Sequence, residues 1–318
     1  MTGRQITSAE LTTAQVTEVL ALVQAARLAD GVAPLSEHVM LHLRYDSAGR
    51  PGLGRDLVLT AGREIAGYAY LDPPPGQRDE GEVTGELVIH PGSRRQGLGR
   101  ALAGELAGAA GGHVLRVWAH GDLPAAAALA RTAGFERFRA LWQMHRSLRE
   151  PLERPVLPPG RTLRTFMPGR DEDEWLSLNG RAFAKHPEQG GWTRHDLELR
   201  EQEPWFDPAG FFIVTADSLM TGFHWTKVHS PEEGEVYVVG VDPAEQGSGL
   251  GRALTLAGLN YLHDRGVAQA MLYVDEDNAP AIRMYQALGF TRARIDVMYR
   301  RPPGAGHGET SQPGPRAG

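Results

Sequence analysis

A glycine-containing hexapeptide, Gly-Leu-Gly-Arg-Ala-Leu, occurs twice in this 318-residue chain and constrains its fold more than any other feature. One copy begins at Gly97 and the other at Gly249, about half a chain length apart. Each copy follows an apolar, strand-like segment and leads directly into an apolar, helix-like segment. Because a chain of this length has room for two domains of about 150 residues, the repeat predicts one domain architecture used twice.

Proline and charge indicate where these domains meet. The segment from Ser147 to Gly160 carries four prolines among alternating charges, which is typical of an extended linker. We therefore predict an N-terminal domain over residues 1–150, a linker over 151–160 and a C-terminal domain over 161–301. Residues 302–318 offer no apolar side chains that a core could bury, and we expect them to form a disordered tail.

The composition argues against several classes of protein. The formal net charge of −6 does not suit a nucleic-acid-binding surface. No segment reaches the length of about 20 apolar residues that a membrane span needs, and the N-terminal residues show no signal sequence. The absence of cysteine excludes disulfides, a thiol nucleophile and thiolate metal sites. We therefore expect a cytoplasmic monomer that binds no nucleic acid and no membrane. We also expect no metal site, since His186, His224 and His229 accompany no compact carboxylate cluster.

The two halves show the same order of secondary structure. Each begins with a helix-like region, at residues 7–30 and 173–184, and continues with strand-like segments of alternating polarity. Each then ends with a strand–helix–strand–helix–strand series, the last strands being residues 136–148 and 291–301. This order predicts the α/β fold class, with a mixed sheet in an α+β arrangement.

The glycines of the repeat lie where a strand passes into a helix. The first N–H groups of a helix lack intrahelical partners and carry partial positive charge, so this position binds anions. Glycines 247, 249 and 251 permit positive φ and close approach of the backbone, and Arg252 can add a charge-assisted contact. The spacing fits neither a Walker loop nor a dinucleotide-binding fingerprint. A single copy would also fit a helix start that is merely rich in glycine, but two copies favour phosphate binding.

The repeat resembles the pyrophosphate-binding loop of the GNAT family of N-acetyltransferases, whose pattern is Gln/Arg-x-x-Gly-x-Gly/Ala. The matching segments are Arg94–Gly99 and Gln246–Gly251, and the resemblance covers nearly the whole chain as two tandem GNAT acyl-CoA N-acyltransferase domains. It implies acetyl-CoA as the co-substrate. In this family the strand before the loop bulges and parts from its neighbour, and its free amides bind the acetyl carbonyl and the pantetheine arm. The resemblance implies coenzyme contacts from Leu87, Val88, Ile89, Arg95, Gln96, Gly97, Leu98, Gly99, Arg100, Val239, Gly240, Val241, Gln246, Gly247, Ser248, Gly249, Leu250, Gly251, Arg252, Asn278, Ala279, Pro280, Ala281, Ile282 and Arg283.

Acetyl transfer to an amine needs a base for the ammonium proton and an acid for the leaving thiolate. The residues Asn278 to Phe290 resemble the second GNAT signature, Asn-x-x-Ala-x-x-x-Tyr-x-x-x-Gly-Phe. The resemblance implies that Tyr285 is the acid and that Glu235, which begins the strand before the loop, is the base. Asn278 is expected to cap the helix and contact pantetheine. The alternative is that Tyr285 is a core aromatic residue and Asn278 only a cap.

The N-terminal half lacks this pair. Alignment on the shared Gly-Phe places Ala130 at the position of the tyrosine, and alignment on the loop places Val83 at the position of the base. Glu82 and Glu86 lie nearby, so the missing acid is the clearer of the two differences. We therefore predict a non-catalytic N-terminal domain.

Residues 31–39, 183–193 and 223–229 resemble tandem-domain GNAT members that acetylate the cysteinyl amine of cysteinyl-glucosaminyl-inositol. The resemblance implies contacts to this pseudodisaccharide from Glu37, Glu188, Lys227, Glu235 and Tyr273. Trp192 and Trp225 have side chains that could stack on a sugar face, and we expect them to do so. From residue type alone, these charges also fit a solvated surface and these tryptophans a core. Two other functions stay open. One is acetylation of another amine, such as an aminoglycoside or a protein N-terminus, and the other is non-catalytic coenzyme A sensing.

Overall fold

The computed structural model describes residues 3–8, 10–46, 54–73, 81–184, 186 and 189–303. The chain divides into two compact units, one of residues 1–140 with 296–318 and one of residues 141–295. The predicted tail lies outside the described residues from 304 onward. Within the described part, no helix has the length and apolarity that crossing a membrane requires.

Strands and helices follow one another as a mixed α/β structure, which confirms the predicted fold class. The strands are β1 (Arg4–Ser8), β2 (Arg55–Ala61), β3 (Glu64–Leu71), β4 (Glu82–Ile89), β5 (Val114–Ala119), β6 (Glu136–Ser147), β7 (Thr162–Thr165), β8 (Phe211–Ala216), β9 (Leu219–Val228), β10 (Glu233–Val241), β11 (Gln269–Asp275) and β12 (Thr291–Arg301). The α-helices are α1 (Thr13–Asp30), α2 (Glu37–Leu41), α3 (Leu98–Ala109), α4 (Pro124–Thr132), α5 (Glu172–Ala182), α6 (Arg194–Glu201), α7 (Leu250–Asp264) and α8 (Ala279–Ala287).

In the first unit, β1 to β5 form a sheet in chain order. Its pairs are antiparallel except the parallel pair β4–β5. Helix α1 begins at a capping box, in which the Thr12 side chain accepts from the Gln15 amide, and ends at Gly31 with φ of 68°. Its apolar face, with Val19 and Leu22, lies in one core with residues of β2 and β3.

The second unit repeats this plan. Strands β7, β8, β9 and β10 form antiparallel pairs in chain order, and β10 pairs with β11 in parallel. Helix α7 buries a continuous apolar face that includes Leu254, Leu259 and Leu262. A separate aromatic core contains Trp175 and Trp225.

The last strand of each sheet does not follow the order of the chain. Residues 297–301 of β12 run antiparallel to β5 in the first unit, while residues 141–147 of β6 run antiparallel to β11 in the second. The units therefore differ from the division at residue 150 that the prolines suggested. Strands β6 and β12 each follow a helix and a Gly-Phe pair. Their alternating patterns do not predict with which neighbouring strand each one pairs.

Several elements differ from the sequence-based expectation. Helix α1 begins at Thr13 and not near residue 7, because residues 4–8 form strand β1. The expectation also lacked α2, α6 and the short strand β7. These elements are four to eight residues long, too short for a hydrophobic period to stand out.

Candidate active site

Strand β10 parts from β11 immediately before the second glycine loop. The parallel pairing covers only Glu233 to Glu235, opposite Gln269 to Met271, although β10 continues to Val241. On its other side, β10 stays paired with β9, but the register shifts between Val236 and Val238 and forms a β-bulge. The edge of residues 236–241 that faces away from β9 therefore has no partner strand within the described sheet, and its amides can bind a ligand.

The first unit has the same parting of strands. Pairing of β4 with β5 ends at Gly85, opposite Val117, although β4 continues to Ile89. The predicted coenzyme residues Leu87, Val88 and Ile89 lie on the part of β4 that is no longer paired with β5. The two halves of the chain thus share the local geometry that the repeat predicted.

The second glycine loop leads into the N-terminus of α7. Gly247 has φ of 82° and Gly249, the N-cap, has φ of 87°, a left-handed conformation that favours glycine. Gly249 has no side chain that could cap this helix, and the Leu250 amide donates to Ser248 Oγ at 3.4 Å. The N–H groups that follow in the first turn lack intrahelical partners. With the dipole of the 15-residue helix α7 behind it, this loop suits a diphosphate.

The first glycine loop also has positive φ values, but one of its two positive-φ positions is occupied by arginine instead of glycine. Gly97 caps α3 with φ of 80°, and Arg95, which aligns with Gly247, also has a positive φ of 62°. A non-glycine residue in this region is uncommon. Arg94 is held elsewhere, because its guanidinium forms two hydrogen bonds of 2.7 Å with the Asp30 carboxylate.

A cleft of about 370 Å³ opens beside the first loop. It is lined by the unpaired end of β4, by the loop and the start of α3, by the end of β5 and by α4. Most of these residues are apolar, including Leu129 and Phe135, and Arg95 and Arg100 supply positive charge. The cleft suits a long ligand with an anionic end and a flexible apolar end.

Neither carboxylate near the base position of the first unit is free. Glu82 forms an ion pair with Arg116. Glu86 accepts a hydrogen bond of 2.7 Å from the Ser36 amide and faces His120. Burial alone would disfavour the His120 cation, but hydrogen bonds to Asp296 and Glu86 outweigh it and raise its pKa to about 10. That the first unit carries out no chemistry stays a prediction.

Glu235 is the last residue of β10 that pairs with β11, and it is buried, with 7% of its surface exposed. His229 Nε2 lies 2.8 Å from Glu235 Oε2. Lys227 is the residue directly opposite on β9, so the two side chains share one face of the sheet. The Lys227 ammonium lies 4.4 Å from the centre of the Trp205 ring and 5.2 Å from that of Tyr237. A carboxylate, an imidazole and an ammonium thus meet beside the parting strands.

Tyr285 projects from α8, which is capped as expected by the Asn278 side chain. Its ring packs edge-on against Phe290, with ring centres 5.8 Å apart. Burial raises the pKa of Tyr285 to about 12, so its hydroxyl is protonated at neutral pH and can donate. The role of the hydroxyl as acid stays a prediction.

Comparison with known proteins places this geometry in a family. The model of the acetyltransferase (GNAT) family matches residues 24–135 and 174–290, once in each half of the chain. The chain belongs to the GNAT acetyltransferase family. Like its relatives, this acetyltransferase therefore uses acetyl-CoA to acetylate an amine.

Curated relatives match this acetyltransferase over nearly its full length. A protein of Thermobispora bispora named mycothiol acetyltransferase is 59% identical, with 89% of this chain and 95% of that protein covered. One of Thermomonospora curvata with the same name is 58% identical, with 92% and 96% covered. Among solved structures, a tandem GNAT protein from the clavulanic acid biosynthesis pathway has a TM-score of 0.72 at 24% identity, with 94% of this chain and 98% of that chain covered. That likeness shows the fold alone.

The structure corrects one sequence-based expectation for this acetyltransferase. Trp225 is fully buried and stacks on Phe211 at 4.5 Å, so its predicted stacking on a sugar is wrong. Trp192 is partly covered, because the Arg200 guanidinium lies 3.9 Å from its ring centre. Arg252, expected at the diphosphate, forms an exposed ion pair with Glu153. Such a pair is worth about 0–1 kcal/mol, so a diphosphate can displace it.

The remaining predicted acceptor residues are placed as follows. Tyr273 on β11 is 43% exposed and lies opposite Gln143 of β6. Glu37 begins α2 in the first unit and is half-buried. Glu188 lies outside the described residues. His229 was not singled out as a site residue, although its place after the strand that faces Glu235 could have indicated it.

Proposed function

We propose that this acetyltransferase transfers the acetyl group of acetyl-CoA to the cysteinyl amine of cysteinyl-glucosaminyl-inositol, which gives mycothiol. The observation that carries the proposal is the match to proteins named mycothiol acetyltransferase at 58–59% identity over about nine-tenths of the chain. Two features support the same reading: a phosphate-binding helix start, and a buried carboxylate beside parting strands.

In this proposal Glu235 is the general base. It takes a proton from the cysteinyl ammonium, either directly or through water, and the neutral nitrogen then attacks the thioester carbonyl. The unpaired amides of residues 236–241 support this step, because they can donate to the carbonyl oxygen as negative charge develops on it.

Tyr285 is the general acid of the proposal. When the tetrahedral intermediate collapses, the C–S bond breaks and the departing thiolate takes the phenolic proton. The phenolate then takes the second proton of the former ammonium nitrogen, which leaves a neutral amide and restores the hydroxyl. A hydroxyl with a pKa of about 12 is present as the protonated donor throughout the neutral range. Asn278 and the first turn of α8, from Ala279 to Arg283, contact the pantetheine arm in this arrangement.

The coenzyme diphosphate is held in the second unit by residues 246–252 and the pantetheine arm by residues 239–241. The first unit binds coenzyme without chemistry in its cleft, through residues 87–89 and 95–100. Arg95 and Arg100 beside the cleft support this assignment. In this proposal Lys227, Glu235 and Tyr273 of the second unit bind the acceptor, and the resemblance implies contacts from Glu37 and Glu188 as well.

The test is acetyl-CoA turnover with purified protein and a panel of amines. We expect cysteinyl-glucosaminyl-inositol to exceed glucosaminyl-inositol, free cysteine, aminoglycosides and peptide N-termini by more than about tenfold in kcat/KM, with mass spectrometry locating the acetyl group on the cysteinyl nitrogen. A higher kcat/KM for another amine would overturn the acceptor assignment. Tight coenzyme binding without any turnover would favour the sensor.

A further inference from the structure

His229 connects the buried Glu235 carboxylate to solvent. Its Nε2 lies 2.8 Å from Glu235 Oε2, and 35% of its side chain is exposed, against 10% for that of Glu235. The His229 amide donates to the Glu233 carbonyl oxygen at 2.9 Å, which holds the residue in the turn between β9 and β10. The imidazole is therefore held between the carboxylate and water.

The reaction requires a way out for one proton per turnover. A substrate ammonium carries three N–H bonds, the product amide keeps one and the coenzyme thiol takes one. The remaining proton must reach solvent, and Glu235 must lose it before the next cycle begins. A carboxyl group with only 7% of its surface exposed has little direct contact with water.

We infer that His229 relays the proton from Glu235 to solvent. The inference rests on the proposed role of Glu235 as base. The protonated carboxyl gives its proton to His229 Nε2 of a ring that carries its own proton on Nδ1. The imidazolium then releases the Nδ1 proton to water, and proton exchange with water returns the ring to its starting tautomer. The carboxylate is regenerated, and neither charge nor atoms are left over. Imidazole is suited to this step because it can both accept and donate near neutral pH.

Other charged groups near this pair do not supply the same path. Lys227 faces Glu235 from β9, but an ammonium has no lone pair with which to accept a proton. Glu233 precedes Glu235 by two residues on β10, and its carbonyl oxygen accepts from the His229 amide. Among the described residues, His229 is the imidazole in hydrogen-bonding contact with this carboxylate.

Two substitutions at His229 separate proton relay from simple positioning. Glutamine in His229→Gln can still donate to Glu235 but cannot carry a proton, whereas His229→Ala removes both abilities. We expect kcat to fall about 10- to 100-fold in both variants, with an unchanged KM for acetyl-CoA and an altered pH profile of kcat. Added imidazole should restore part of the activity of His229→Ala. The matched control is His263→Gln, since His263 contacts Asp264 at the end of α7 and should leave kcat unchanged.

Wild-type kcat and an unchanged pH profile in His229→Gln would overturn the relay, and loss in His229→Ala alone would reduce His229 to a positioning residue. Thermal unfolding midpoints verify that each variant is folded. Wild-type turnover, measured in parallel, keeps the two proposals distinct. If wild type prefers another amine, only the acceptor assignment fails, and the His229 comparison is made on that amine. If it acetylates none, both fail.

Discussion

Glu235 and Met271 are the last paired residues of strands β10 and β11, and the strands part immediately after them. The carboxylate therefore stands at the mouth of the gap in which the unpaired amides of residues 236–241 begin. On its other edge, strand β11 pairs with β6 over its whole length, from Gln269 to Asp275. One departure from regular pairing thus brings a carboxylate and a set of amide donors to the same place.

Replacing Tyr285 by phenylalanine should lower kcat by about 10- to 100-fold, because the thiolate then leaves without a positioned proton donor. Coenzyme binding should be unchanged, since only the hydroxyl is lost. Stopped-flow turnover and calorimetric titration with coenzyme A measure the two effects. The control is Tyr261→Phe, because the hydroxyl of Tyr261 donates to Asp207. Equal turnover in Tyr285→Phe and wild type would remove Tyr285 from the mechanism.

Gly249→Ala should weaken coenzyme binding. At φ of 87° an added Cβ is strained although nothing lies within 4 Å of it, so the loop must change shape at a cost of about 1–2 kcal/mol. Gly169→Ala is the matched control, because it has φ of 81° and equally open space in a turn before α5. Both variants should lose similar stability, but only Gly249→Ala should raise the Kd for coenzyme A. Equal Kd values would mean that the loop does not hold the diphosphate.

His224 should make the second unit sensitive to acid. Burial lowers its pKa to about 4, although its ring bonds to the Leu254 carbonyl oxygen of α7 at 2.7 Å. The unfolded chain takes up the proton near pH 6.5 and the folded chain only near pH 4. Stability is therefore retained above pH 6.5 and falls toward pH 4, by at most about 3 kcal/mol. Urea unfolding followed by tryptophan fluorescence measures this slope, and His224→Leu should flatten it.

His120 should have the opposite effect on the first unit. Its pKa is raised to about 10, so its stabilising contribution is complete below pH 6.5 and is lost as the pH rises through 10. The slope is at most about 1.4 kcal/mol per pH unit. Calorimetry of wild type and His120→Gln between pH 7 and 10 checks this, and the variant should lose the slope. An equally steep loss in both proteins would show that another group titrates there.

The sequence carried enough information for the glycine loops and little for the pairing of the outer strands. Gly247 and Gly249 need positive φ, a requirement that is local and visible in the residues themselves. The choice of β5 by β12, and of β11 by β6, depends on contacts between residues far apart in the chain, which no local pattern records. The mixed sheet could be predicted, but its strand order could not.

The same distinction holds within the site. The roles of Glu235 and Tyr285 come from the resemblance to the two signatures and stay predictions. The burial of Trp225 could not be predicted from the sequence. Trp225 lies in the core and not on a sugar-binding surface, because its neighbours Phe211 and Trp175 come from other elements. Residue type alone gives the same pattern for a buried and an exposed tryptophan.

The most direct test of this account is a crystal structure of the protein with acetyl-CoA. We predict the diphosphate at the amides of residues 247–252, the thioester carbonyl at the unpaired edge of β10, and the sulfur within hydrogen-bonding distance of the Tyr285 hydroxyl. Glu235 should face the acetyl group across a gap that admits the acceptor nitrogen, so that the carboxylate can reach this nitrogen directly or through one water. Coenzyme bound in the first unit alone, or a thioester turned away from both Glu235 and Tyr285, would contradict it.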